Sequence, residues 1–159
     1  MQKTLLNLND TKVFAKSFSN KLKANKNGAT VVGLVGDLGS GKTTFVKALA
    51  RALGIRGRVS SPTFIIIKRF GLSAKTGFKN LYHLDCYRVS SKELVKLGFK
   101  EALKDKENLM VIEWADRIKS IMPKNSIWMK FSHPKYGRGR ILEINQKLNI
   151  KNQNYKSKS

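Results

Sequence analysis

Apolar positions along the chain fall into two rhythms, one of strands and one of helices. Residues 30–35 (TVVGLV) and 109–114 (LMVIEW) are short, nearly unbroken apolar runs. Such runs read as strands buried on both faces, as in a parallel sheet. Residues 44–53 (TFVKALARAL) instead place Phe45, Leu49 and Leu53 at helical spacing, with Val46 beside them. Residues 11–24 do the same with Phe14, Phe18 and Leu22, and Asp10 or Thr11 is the expected cap. These phenylalanines read as core. Residues 62–70 (PTFIIIKRF) and 81–85 (LYHLD) are two further strands, and a ten-residue loop between them allows a hairpin. Ser90 and Glu93 form a capping-box pair that opens a helix running toward Leu103, with a break at Gly98. Residues 126–131 and 140–145 alternate and read as later strands. Strands interleaved with helices predict an α/β fold.

Between the first apolar strand and its helix lies Gly36-Asp37-Leu38-Gly39-Ser40-Gly41-Lys42-Thr43. It fits the phosphate-binding pattern G-x-x-x-x-G-K-[ST] without deviation, in the required strand–loop–helix setting. Gly36 and Gly41 permit backbone angles closed to other residues. Successive amides from about Leu38 to Thr43 then turn inward as an anion nest, at the positive end of a helix. Lys42 reaches the outer phosphates, and the Thr43 hydroxyl is placed to ligate Mg²⁺.

Such a loop needs acids at the ends of neighbouring strands. The chain has only 10 Asp plus Glu. Glu113 closes the most apolar strand and is assigned to Mg²⁺. Asp85 closes a more polar strand and is assigned to orient or deprotonate water. Thr63, in Ser61-Pro62-Thr63, is a candidate γ-phosphate switch residue. His83 reads as a structural strand histidine. Arg88 and Arg138 are candidates to neutralise phosphate charge, but single cations say little among 32 Lys plus Arg.

Composition bounds the rest. A chain of 159 residues suggests one domain, here 1–146, followed by a basic tail at 147–159 that reads as disordered. No stretch approaches a membrane span, no signal peptide is evident, and Cys86 stands alone. A cytoplasmic protein is expected. The formal charge of +22 favours loose association with RNA at low salt. Its lysines are scattered, which fits compositional drift better than a dedicated nucleic-acid face. A small phosphate-loop kinase and an RNA-binding protein with a nucleotide switch both remain compatible with these residues.

The ordered set of motifs is more specific. Gly36 to Thr44, Ser61-Pro62-Thr63-Phe64, Tyr82-His83-Leu84-Asp85-Cys86-Tyr87-Arg88, Glu93-Leu94, Leu97-Gly98 and Glu113-Trp114 occur in that order. Over residues 8–145 the chain resembles the bacterial TsaE (YjeE) family, the small ATPase of tRNA threonylcarbamoyladenosine synthesis. The resemblance implies a P-loop NTPase-like three-layer fold with a mixed, mainly parallel sheet. It implies ATP held by Asp37, Leu38, Gly39, Ser40, Gly41, Lys42, Thr43 and Thr44, with Mg²⁺ on Thr43 and Glu113. Lys42, Asp85 and Thr63 would serve hydrolysis. Trp114 would lie beside the nucleotide, as would Arg138 if Gly137-Arg138 matches a family Gly-Arg pair. The family works with the TsaD and TsaB proteins, and so reaches tRNA indirectly. It drives or resets that complex rather than transferring the threonylcarbamoyl group. Slow hydrolysis without partners is expected, because no arginine stands out as a finger.

Overall fold

The computed structural model describes residues 1–57 and 66–145. Seven strands form one sheet: β1 (Gln2–Leu5), β2 (Thr30–Val35), β3 (Ile67–Gly71), β4 (Asn80–Asp85), β5 (Asn108–Glu113), β6 (Ile127–Ser132) and β7 (Arg140–Asn145). Their spatial order is β1-β7-β6-β2-β5-β4-β3. The central strands β6, β2, β5 and β4 run parallel. Antiparallel pairs close both edges, β3 on β4 and β1–β7–β6. The sheet is therefore mixed with a parallel centre, as the resemblance implies. The expected hairpin is β3–β4, with Ile67 opposite Leu84 and Gly71 opposite Asn80.

Helices cover both faces. On one lie α1 (Leu8–Lys21) and α2 (Lys42–Ala52). Phe14 and Phe18 of α1, Phe45 of α2 and Phe131 of β6 meet there with ring centroids 5.7–6.0 Å apart. Phe45 is fully buried. Removing such a ring from a core costs about 3–5 kcal/mol. On the other face lie α3 (Ser91–Lys96), α4 (Phe99–Lys104) and a 3₁₀ segment, Ala115–Ile121. Leu94, Phe99 and Ile118 pack there against Leu84, Met110 and Ile112. Gly33 of β2 allows the 3₁₀ segment this close: a Cβ there would stand 2.9 Å from the Ala115 Cβ and 3.2 Å from the Trp128 ring.

Several local expectations are corrected. The cap of α1 is Asn7, whose side chain accepts from the Asp10 N–H at 3.0 Å, so the helix starts before Asp10 and Thr11. Asp10 instead accepts from the Leu6 N–H at 2.8 Å. The helix also stops at Lys21, because Leu22 is already extended. The break expected at Gly98 is present: with φ +83° it divides the helix opened by Ser90 into α3 and α4. Strand β1 and the 3₁₀ segment 115–121 were not foreseen. The tail at 147–159 and the expected strand residues 62–65 lie outside the described residues. Among the described residues, no helix is long and apolar enough to cross a membrane.

Candidate nucleotide site

Parallel strands point their carboxyl ends to one edge of the sheet, and side chains two apart share a face. Register places Leu34 of β2, Glu113 of β5 and Asp85 of β4 in one row at that edge. The loop after β2 lies beside this row. A cleft of about 520 Å³ opens there, a size suited to a small ligand. Its lining includes Leu38 to Thr44, Asp85, Glu113 and Trp114. Residues some 70 positions apart in the chain are thus brought together as expected.

Loop geometry follows from its glycines. Gly36 leaves β2 at φ +137°, and a Cβ there would lie 2.2 Å from the Phe131 carbonyl oxygen. Gly39 and Gly41 take φ of +74° and +105°. Gly41 caps α2 without any side-chain hydrogen bond. The first N–H groups of a helix have no intrahelical acceptor, so the amides at Lys42, Thr43 and Thr44 are available to an anion.

Lys42 is only 4% exposed. Its Nζ donates to the carbonyls of Gly36 at 2.6 Å and Asp37 at 2.8 Å. It also lies 3.9 Å from the centroid of the Trp114 ring. Burial pulls its pKa below the ordinary 10.5, while the field of Glu113, Asp37, Asp85 and Asp116 offsets part of that shift. Trp114 reaches this position by taking φ +58°, a left-handed conformation rare for a bulky residue. Tyr87 packs against it at a tilt, with centroids 4.9 Å apart.

Glu113 is 2% exposed, and both of its oxygens are engaged. The Thr43 hydroxyl donates to Oε2 at 2.6 Å. His83 Nε2 lies 2.9 Å from Oε1. Asp85 is more open, and its Oδ1 accepts from the Tyr87 N–H at 3.1 Å.

These donors fit Mg²⁺. That ion is commonly held by one or two protein oxygens together with substrate phosphates and water. Thr43 and Glu113 offer a hydroxyl and a carboxylate next to a phosphate-shaped loop. Among the described residues no group of three or more His, Cys, Asp or Glu forms a self-sufficient metal cage.

The remaining candidates separate. Asp37 is exposed and contributes its backbone carbonyl to Lys42 rather than lining the cleft. Arg88 lines the cleft, whereas Arg138 is exposed and does not. Arg140 does, and sequence reasoning missed it. Its Nε and Nη2 donate to the Gly39 carbonyl at 3.3 and 3.1 Å, tying β7 to the loop. The available signal was the second Gly-Arg pair, Gly139-Arg140, directly after the first. Thr63 lies outside the described residues.

Comparison with known proteins agrees with this geometry. The family model "Threonylcarbamoyl adenosine biosynthesis protein TsaE" matches residues 5–141. A tRNA threonylcarbamoyladenosine biosynthesis protein TsaE of Rickettsia typhi is 37% identical, covering 96% of this chain and 95% of that protein. One from Borreliella burgdorferi is 40% identical, covering 83% and 90% respectively. The crystal structure of Bacillus subtilis YdiB superposes with a TM-score of 0.68 at 29% identity, over 91% of this chain and 84% of that one. A family match over residues 5–141, on a fold that gathers the glycine loop, Asp85 and Glu113-Trp114 around one cleft, places this protein in the TsaE family.

Proposed function

We propose that this protein is a Mg²⁺-dependent ATPase of the pathway that forms threonylcarbamoyladenosine beside the tRNA anticodon. It works in the cytoplasm with the TsaD and TsaB proteins, meets tRNA through them, and drives or resets their complex rather than making the transfer itself. The observation that carries the reading is the 2.6 Å contact of Thr43 with Glu113 beside the glycine loop. It joins a magnesium-type ligand pair to a phosphate cradle.

Binding begins with the amides at the start of α2, which meet the phosphates of ATP. Lys42 exchanges its bonds to Gly36 and Asp37 for bonds to the outer phosphates. Its buried ammonium has little water to give up, so the exchange is between protein and substrate oxygens. Thr43 and Glu113 would hold the metal, which would supply positive charge to screen the phosphates. Asp85 orients the attacking water and accepts its proton as the oxygen bonds to the γ-phosphorus. The bond from that phosphorus to the ADP oxygen then breaks. The resemblance gives Thr63 a part in hydrolysis as a switch residue. Arg88 and Arg140 lie close enough to the cleft to offset charge there.

Single-turnover hydrolysis of radiolabelled ATP tests the reading. Slow hydrolysis by the protein alone that accelerates when TsaD and TsaB are added is expected. Transfer of the label to a small acceptor would instead identify a kinase.

A further inference from the structure

The Glu113 carboxylate divides its two oxygens between two partners, and only one of those partners belongs to the phosphate loop. Oε2 accepts from Thr43 at 2.6 Å, and Oε1 lies 2.9 Å from His83 Nε2. His83 is completely buried, and among the described residues its other ring nitrogen, Nδ1, has no hydrogen-bond partner. Register explains the meeting. His83 and Asp85 on β4, with Val111 and Glu113 on β5, share one face of the sheet, with His83 opposite Val111. His83 therefore sits one pleat behind Glu113, on the side away from solvent.

This network assigns the ring's protonation. A carboxylate only accepts hydrogen bonds, so Nε2 must carry the proton. The form that suits this contact is therefore the one that donates from Nε2 to Oε1.

We propose that His83 is a positioning residue for the metal site. By holding Oε1, it leaves Oε2 as the one Glu113 oxygen presented beside Thr43, and so favours Mg²⁺ over Ca²⁺. This rests on the nucleotide reading above. Mg²⁺ requires compact octahedral geometry and meets carboxylates through single oxygens or through its own waters, whereas Ca²⁺ accepts six to eight ligands and readily takes both oxygens of a carboxylate. A Glu113 freed from His83 can turn to offer both. Hydrogen-bond partners of metal-binding carboxylates act in this way generally, by fixing which lone pairs face the ion.

The test is calorimetric titration with a non-hydrolysable ATP analogue, in Mg²⁺ and separately in Ca²⁺. Three proteins are compared: the unaltered chain, His83→Leu and His83→Gln, with folding checked by circular dichroism. Leu removes the donor, while Gln supplies an amide N–H that can reach Oε1. The Mg²⁺-over-Ca²⁺ affinity ratio should fall about tenfold in His83→Leu and be retained in His83→Gln. An equal loss with both ions, leaving the ratio unchanged, would mean that His83 only fills space and would overturn the inference. Absence of metal-dependent binding in the unaltered protein would overturn the nucleotide reading, and this inference with it. Should His83→Leu not fold, nitrogen NMR of the unaltered protein decides. A protonated Nε2 supports the proposal, and a bare Nε2 overturns it.

Discussion

Thr43 and Glu113 stand 70 positions apart in the chain, yet the threonine hydroxyl donates to the glutamate Oε2 across 2.6 Å. Neither residue makes a metal site alone. One is fixed by the first turn of α2, the other by the last residue of β5, and parallel pairing of β2 with β5 brings the two together. Their effects on Mg²⁺-dependent nucleotide binding should therefore not add. In a double-mutant cycle of Thr43→Ala and Glu113→Ala, a coupling of roughly 0.5–3 kcal/mol is expected. Additive losses, measured by calorimetry at fixed Mg²⁺, would mean that the two residues act separately.

Asp85 ends the neighbouring strand, and in the proposed mechanism it is the base and leaves the metal to Glu113. Asp85→Asn keeps the shape and the contact with the Tyr87 amide while removing the base. Nucleotide affinity should stay within a small factor of the original. Single-turnover hydrolysis should slow by roughly 10²-fold or more, the usual contribution of a positioned base. Loss of Mg²⁺-dependent binding in this variant, with Glu113→Ala unaffected, would show that the acids have exchanged roles.

Arg140 ties the β7 strand to the Gly39 carbonyl. Its bonds are solvent-exposed, so Arg140→Ala should cost little in folding but loosen the loop. Nucleotide affinity should drop by about 1 kcal/mol, the net worth of a typical hydrogen bond. Arg138→Ala, two positions away and outside the cleft, is the control and should bind as the unaltered protein does. A larger effect at Arg138 than at Arg140 would contradict this placement.

Cys86 follows Asp85 directly but faces the opposite, apolar side of the sheet. Burial, reinforced by the Asp85 charge, pushes its thiol up from 9.0 to about 12. Below pH 9 the thiol is neutral whether the chain is folded or not. Above it, only the unfolded chain gains by ionising, so folding stability should decline from pH 9 toward about 12. At pH 8 the native protein should resist iodoacetamide, and the denatured chain should react. Rapid native alkylation would show that the strand end opens.

What the sequence revealed follows how locally each feature is encoded. Strand β2, the glycine loop and α2 are contiguous and carry strong signals, so they were legible together. Glu113 was legible because an acid closing a fully apolar strand is conspicuous. Strand β1 was not, because only Leu5 of its four residues is buried. It exists through backbone pairing with β7, which leaves no side-chain rhythm. Asn7 was passed over as a cap because two other capping residues, Asp10 and Thr11, stand within the next four positions. Arg140 was hidden among 32 cations, since nothing in its neighbourhood distinguishes a loop contact 101 positions away. His83 looked structural for a sound reason: it is fully buried. Only the register of β4 against β5 shows what it touches.

Lys42 supplies the single mobile full charge in a loop of neutral donors, and everything proposed for the cleft depends on its meeting phosphate. Calorimetric titration of the Lys42→Ala protein with a non-hydrolysable ATP analogue and Mg²⁺ tests this most directly. Folding of the variant is checked by circular dichroism before the titration, because the carbonyls of Gly36 and Asp37 lose their Lys42 partner. Affinity should fall by roughly 1.5–3 kcal/mol, the scale of a lost charge-assisted hydrogen bond. Unchanged affinity in the folded variant would contradict the account.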